Sequence, residues 1–430
     1  MSELFKSVEW SRNTNIYEVN LRQYTQDGTL QAFMKEMPRL KDMGIEVLWF
    51  MPLTPISKVK RLGTLGSYYA CSDYTAINPE FGSSADFKQL VKLAHELNFK
   101  VMIDWVANHT GYDHKWTIEH PEYYRRNHDG NFFDQHGWED VIDLNYDNTD
   151  LHTAMIDAMQ FWIDEYDIDG FRCDMAMLVP ITFWIAARTK LDRVKDLFWL
   201  AECEEINYHD VFDATYSWKF LHKMEAFWRH QTDLRGIEEV LHYYETMFPP
   251  SAFHLLFTTN HDENSHSGSE FERMGNAAIP FSVLCCTWKG IPLIYSGQEL
   301  PNLKRLKFFD KDFIEWTGTN QLHEFFKKLL ALRKNNGALQ AGENTSVRRL
   351  GTNADYAVFS FSRQSGKDEV LVMINFSHDQ QTFTYWEESA PVATFKDLFS
   401  GQLTDIRHET VFTLAPWDYK VLERSAEAQA

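Results

Sequence analysis

Short apolar runs alternate along this chain with amphipathic stretches of helical length. IYEVN (16–20) precedes the amphipathic, helix-length segment LQAFMKEMPRLKDMG (30–44). VLWFM (47–51) precedes SADFKQLVKLAHELN (84–98), which opens with Ser and Asp in its first turn, a helix-start signal. KVMIDWV (100–106) is a third strand, and LHTAMIDAMQFWIDEY (151–166) carries apolar residues at the three- and four-residue steps of a helix. GFRCD (170–174), FWLAE (198–202), VFDATY (211–216), FHLLFTT (253–259) and IPLIYSG (291–297) supply five more strands. Eight strands with helices between them predict an α/β fold, a (β/α)8 TIM barrel formed by residues 1–109 and 146–340.

Two segments break the alternation. Residues 110–145 are polar and aromatic, rich in His, Asn and Gly, and far longer than an ordinary strand-to-helix loop. They predict a small subdomain protruding over the barrel's C-terminal face. After residue 340 the runs become short and alternating, as in DYAVFSFSR, EVLVMINFS and QTFTYW, separated by turn residues. That pattern predicts a C-terminal antiparallel β-sandwich over 341–424, with 425–430 as a disordered tail.

Three of the apolar runs end in a carboxylate: Asp174, Glu202 and Asp262. Strand C-termini of a parallel barrel converge on one face, where such enzymes carry their chemistry. Two or three carboxylates around one bond are the usual apparatus for cleaving a glycosidic linkage. An isolated Asp at a strand end is more often a turn cap; acids at the ends of three different strands argue against that reading.

Composition narrows the partners. A net charge of −20 repels nucleic-acid backbones and anionic membranes. Aromatic residues make up 15% of the chain, enough for a large core with rings to spare for stacking on sugars. The N-terminus lacks the apolar stretch of a signal peptide and no 18-residue apolar run occurs, so a cytoplasmic location is expected. Five cysteines, an odd number without a CxxC, suit buried free thiols in a reducing compartment better than a disulfide framework. No organic cofactor is implied.

Four motifs occur in order, each after its own strand: Asp104-Trp105-Val106-Ala107-Asn108-His109, Gly170-Phe171-Arg172-Cys173-Asp174, Ala201-Glu202 and Asn260-His261-Asp262. Gly66–Asp73, Asp143-Leu144-Asn145 and Gly290–Glu299 add weaker matches. Together they resemble the α-amylase family of retaining, α-glucan-active glycoside hydrolases, from the first strand to the C-terminal sandwich. The resemblance implies that Asp174 is the nucleophile, Glu202 the general acid/base and Asp262 the acid that binds sugar hydroxyls in the transition state. It implies that His109 and His261 bind hydroxyls at the cleavage point, that Tyr69 stacks beneath that sugar, and that Asp104 braces Arg172. Independently of the family, Arg172 lies two residues before Asp174 on one strand, so both side chains point the same way, and its cation favours an ionised Asp174.

Many members of the family bind Ca²⁺ between barrel and subdomain, and Asn108 and Asp143 occupy two of the implied ligand positions. The resemblance departs at Met177-Leu178, where amylases acting on long chains often carry Lys and the calcium site a His. That departure makes action on shorter oligosaccharides, or transfer of glucosyl units, more plausible. The expected function is cleavage of α-1,4 bonds in starch, glycogen or maltodextrin. The rivals are an exo-acting α-glucosidase, a glucan transglycosylase and, from another class, a non-catalytic glucan-binding relative.

Overall fold

The structure is a computed structural model describing residues 4–341 and 345–424; the tail expected over 425–430 lies outside the described residues. Eight strands close into a barrel: β1 (Ile16–Val19), β2 (Val47–Phe50), β3 (Lys100–Trp105), β4 (Gly170–Cys173), β5 (Phe198–Ala201), β6 (Ala214–Tyr216), β7 (Phe253–Leu256) and β8 (Ile291–Tyr295). Each pairs in parallel with its sequence neighbours, and β1 closes on β8. Strands covered on both faces must be apolar almost throughout, which is why they appear in the sequence as runs rather than alternations. The register aligns their C-terminal ends: Asp104 sits beside Arg172, and Cys173 beside Ala201. Gly170 is required by packing, since a Cβ there would fall 2.3 Å from the carbonyl oxygen of Phe198 on β5.

Local chemistry changes two of the expected elements. The amphipathic stretch over 30–44 forms two helices, Leu30–Met34 and Met37–Met43. Pro38 has no N–H to give a continuous helix but is tolerated in the first turn of a new one. The run 211–216 is strand only from Ala214; before it, the carbonyl of Tyr208 accepts from the backbone N–H of both Val211 and Phe212, closing a turn. The helix at Ser84–Glu96 is fixed at its start by a reciprocal cap between Ser83 and Asp86.

Between β3 and β4, strand His109–Gly111 pairs antiparallel with Val141–Asp143, enclosing a loop-rich excursion. Beyond the barrel, a six-stranded antiparallel sheet and a two-stranded one (Gln381–Phe383 with Phe412–Leu414) enclose a second core that includes Leu350, Leu371, Phe395 and Leu422. Strand Val358–Ser365 serves both cores: Val358 faces the second, while Phe359 and Phe361 join the main one, Phe361 packing on Trp288 at 4.7 Å. All five cysteines are buried and unpaired. No helix among the described residues is long and apolar enough to cross a membrane.

Candidate active site

Arg172 organises the C-terminal end of the barrel. It is fully buried on β4, and one terminal nitrogen donates to Asp104 Oδ1 at 2.9 Å and to Asp174 Oδ1 at 2.8 Å. Its other terminal nitrogen stands 2.9 Å from Glu202 Oε2, and Nε donates to Tyr216 Oη at 3.2 Å. One guanidinium thus meets carboxylates delivered by β3, β4 and β5. A buried cation is tolerated only with such partners.

Asp174, Glu202 and Asp262 all line one cleft of about 520 Å³, together with Tyr69 and His109. This volume is in the range of small-molecule sites. Arg172, Asp104 and His261 lie beneath its floor. Asp262 keeps 39% of its side chain exposed, which leaves it open to a ligand. The backbone N–H of Met175 donates to Glu202 Oε2 at 2.8 Å, and Met175 holds a left-handed φ of 41° to do so. A non-glycine residue in that region is strained, and such strain concentrates at functional sites.

The environments separate the three acids. Burial pushes Glu202 up to about 7; Asp174 and Asp262 add to the rise while Arg172 opposes it. Burial also raises Asp174 to about 6 against the opposing charge of Arg172. Burial would raise Asp262 too, but the charge of His261 beside it outweighs this and holds it down at about 2. One carboxyl is therefore kept protonated near neutrality while its neighbours ionise, the division of labour acid–base chemistry needs.

Tyr69 stacks against His261 (5.5 Å, 21°), and its hydroxyl lies 3.1 Å from Asp104 Oδ2 and 2.7 Å from His261 Nε2. His109 is buried, its pKa lowered by that burial to about 4, with Trp138 edge-on at 5.2 Å. His261 exposes no surface, and both ring nitrogens already have partners. Several cleft residues escape sequence reasoning: Trp138, His266 and Phe308 carry no motif, although Phe308 lies parallel to Tyr69 at 6.2 Å. Glu204, two residues after Glu202, is held by Lys219 at 3.0 Å and by the Tyr244 hydroxyl.

The two residues implied for calcium have different surroundings. The amide nitrogen of Asn108 lies 3.2 Å from His109 Nδ1, and its backbone carbonyl accepts from Leu144. Asp143 is buried; its Oδ2 accepts from the backbone and side-chain N–H of Gln135, both at 3.0 Å, while Oδ1 is buried without a partner. Asp134 Oδ1 is likewise orphaned, and donor atoms of Asp134, His136 and Asp143 lie within 4.8 Å of one another. Buried carboxylate oxygens without partners, in a cluster with a third donor atom, suit a cation, so the donor set fits a divalent ion. Asp134 and His136 were not legible as ligands, because a D-x-H spacing in a polar loop has no specificity until Asp143 is folded against it.

Comparison with known proteins gives a consistent picture. The family profile "Alpha amylase, catalytic domain" matches residues 7–139 and 122–317. An α-amylase structure from Lactobacillus plantarum superposes with a TM-score of 0.87 at 28% identity, covering 96% of this chain and 99% of that one. The noncanonic maltogenic α-amylase AmyB from Thermotoga neapolitana also gives 0.87, at 30% identity over 96% of this chain and 98% of its own. The α-amylase MalA of Haloarcula japonica is 26% identical over 88% of this chain, which spans 57% of that protein's length.

Proposed function

Because the chain belongs to the α-amylase family, a family of glycoside hydrolases, we propose that it cleaves α-1,4-glucosidic bonds of starch, glycogen or maltodextrin with retention of configuration. The observation that carries this reading is the gathering of Asp174 and Glu202 on the two terminal nitrogens of Arg172, with Asp262 across the same cleft. Two carboxylates held on one guanidinium suit the short separation, about 5–5.5 Å, of a retaining pair.

In this reading the Asp174 carboxylate attacks the anomeric carbon as the glycosidic C–O bond breaks, and the proton of Glu202 passes to the leaving oxygen. Water then attacks the glycosyl–Asp174 ester, giving its proton back to Glu202 and releasing the sugar. Asp262, held ionised, accepts hydrogen bonds from sugar hydroxyls and stabilises the positive charge that develops on the ring. His109, with His261 beneath, orients hydroxyls; Tyr69 and Phe308 form the apolar wall on which the sugar stacks. Asp104 accepts from the same Arg172 nitrogen as Asp174 and so braces the guanidinium.

We read the chain as a barrel of residues 1–109 and 146–340, a subdomain at 110–145 and a sandwich at 341–424. A divalent cation would be held by Asp134, His136 and Asp143, with Asn108 near by; calcium is the ion the family implies. Its contribution would be electrostatic: to neutralise carboxylates that otherwise repel and to tie down the loop that carries Trp138 into the cleft. An imidazole is a poorer calcium donor than the oxygens that ion prefers, so the competing ion to compare is zinc.

The test is a product time course on maltoheptaose and soluble starch. A ladder of short maltooligosaccharides from the start supports internal cleavage. Glucose as the sole early product would favour the exo-acting α-glucosidase, and products longer than the substrate a transglycosylase. Met177 is exposed in a neighbouring groove and, standing in place of a Lys, offers no hydrogen bond to the hydroxyls of a departing long chain. No turnover of either substrate would leave the non-catalytic, glucan-binding reading.

A further inference from the structure

One buried carboxylate touches the site without entering the cleft. Glu18 lies on β1 and is fully buried; its Oε1 is 2.5 Å from His261 Nδ1, and its Oε2 has no partner. On the other side of the imidazole, Nε2 is 3.2 Å from Asp262 Oδ2 and 2.7 Å from the Tyr69 hydroxyl. Ionised carboxylates only accept hydrogen bonds, and a neutral imidazole has a single N–H to give. A ring with a carboxylate on each nitrogen is satisfied only when both nitrogens carry protons.

Beside Asp262, the Tyr69 hydroxyl is a second partner for Nε2. Trp49 from β2 meets the imidazole edge-on at 6.1 Å, and Phe308 lies 6.4 Å away, neither offering an acceptor to Nδ1. The single Tyr69 hydroxyl proton goes to the Asp104 carboxylate at 3.1 Å, so the Tyr69 oxygen, 2.7 Å from Nε2, accepts from Nε2–H, with Arg172 5.8 Å from the Tyr69 ring. Burial by itself would lower the pKa of His261, but the charges of Asp262 and Glu18 and the hydrogen bonds to both raise it well above its ordinary value.

We propose that Glu18 is a positioning residue: it holds His261 as an imidazolium with Nε2–H shared between the Tyr69 hydroxyl and Asp262, and so keeps the third acid ionised and oriented toward the substrate. Glu18 never touches the sugar; it acts through His261, and its consequence for turnover rests on the proposed hydrolysis. The buried Glu18–His261–Asp262 chain makes the charge on Asp262 independent of pH across the working range of the other two acids.

The experiment is ¹⁵N NMR of histidine-labelled protein without substrate, with the His261 signals assigned by their loss in His261→Gln. Between about pH 5 and 8, where an ordinary histidine titrates, both nitrogens of His261 should remain protonated. In Glu18→Gln the amide oxygen can still accept from Nδ1–H, but the charge is gone, and Nε2 should lose its proton within that window. Glu18→Asp should restore part of the protonated population. With maltoheptaose, Glu18→Gln should lower kcat about tenfold and steepen the alkaline limb of the pH profile, KM changing less. A neutral His261 in the parent protein, or His261 signals unchanged in Glu18→Gln, would overturn the proposal. Because the NMR reads protonation in the absence of substrate, lack of hydrolysis by the parent protein would count against the proposed function alone.

Discussion

Arg172 and Asp174, two residues apart on β4, share a 2.8 Å hydrogen bond whose donor also contacts Asp104. The alternation of a strand puts both side chains on one face, and the buried guanidinium then fixes where the Asp174 carboxylate can lie. Removing that cation leaves Asp104, Asp174 and Glu202 facing one another in a site none of them leaves. Arg172→Met should cost about 3–5 kcal/mol of folding stability, the usual result of stripping one partner from a buried ionic cluster. Urea denaturation measures it; an unchanged midpoint would mean that the cluster is not held by Arg172.

The acids also set the pH range of activity. Asp174 must be ionised to attack and rises to about 6; Glu202 must be protonated to assist departure and rises to about 7. Activity should increase as pH rises through about 6 and fall as it passes about 7, giving a narrow bell in kcat/KM. Glu202→Gln should abolish the alkaline limb along with most of the activity on natural substrates. A profile flat from pH 5 to 9 would contradict these assignments.

Stability should have a separate acid limit. His114 is fully buried; its Nδ1 accepts from the Trp116 backbone N–H at 3.1 Å, and burial lowers its pKa to about 3. An unfolded histidine titrates near 6.5, so the unfolded chain takes up a proton that the folded one refuses. The stabilising contribution is complete above about pH 6.5 and is lost as pH falls toward 3, amounting to about 2 kcal/mol by pH 5. Thermal denaturation at pH 7 and pH 5 should show a fall that shrinks in His114→Gln.

Cation binding is read most directly as stabilisation. A divalent ion at a free concentration about a hundred times its Kd should add about 2.7 kcal/mol, and chelation should remove it. Comparing calcium with zinc shows which ion the donors of Asp134, His136 and Asp143 prefer. Asp134→Asn should abolish the shift for either ion; a shift that survives this change would place the cation elsewhere.

The acids were legible in the sequence because each ends a run of apolar residues, and a parallel barrel brings such ends together. Gly170 was legible as part of a motif, but the reason for it, the carbonyl of Phe198 2.3 Å from where its Cβ would lie, required the fold. Glu18 was invisible: within IYEVN it is an acid in a strand, and its partner lies 243 residues away, brought near only when β1 closes on β8. Trp138 and Phe308 come from long loops without periodicity, where no local pattern marks a residue that lines a cleft. The break in the helix at 30–44 could have been read from Pro38, whose missing N–H conflicts with the amphipathic pattern around it.

The central claim, a covalent intermediate on Asp174, is tested most directly by intact-mass and peptide-mass analysis of Glu202→Gln incubated with maltosyl fluoride. Fluoride departs without a proton from Glu202, whereas hydrolysis of the glycosyl-enzyme needs Glu202 as base, so the ester should accumulate. The predicted result is one added maltosyl group, mapped to the peptide containing Asp174 and absent from the double variant with Asp174→Asn. Fluoride release with no adduct, or an adduct that persists in the double variant, would contradict the account.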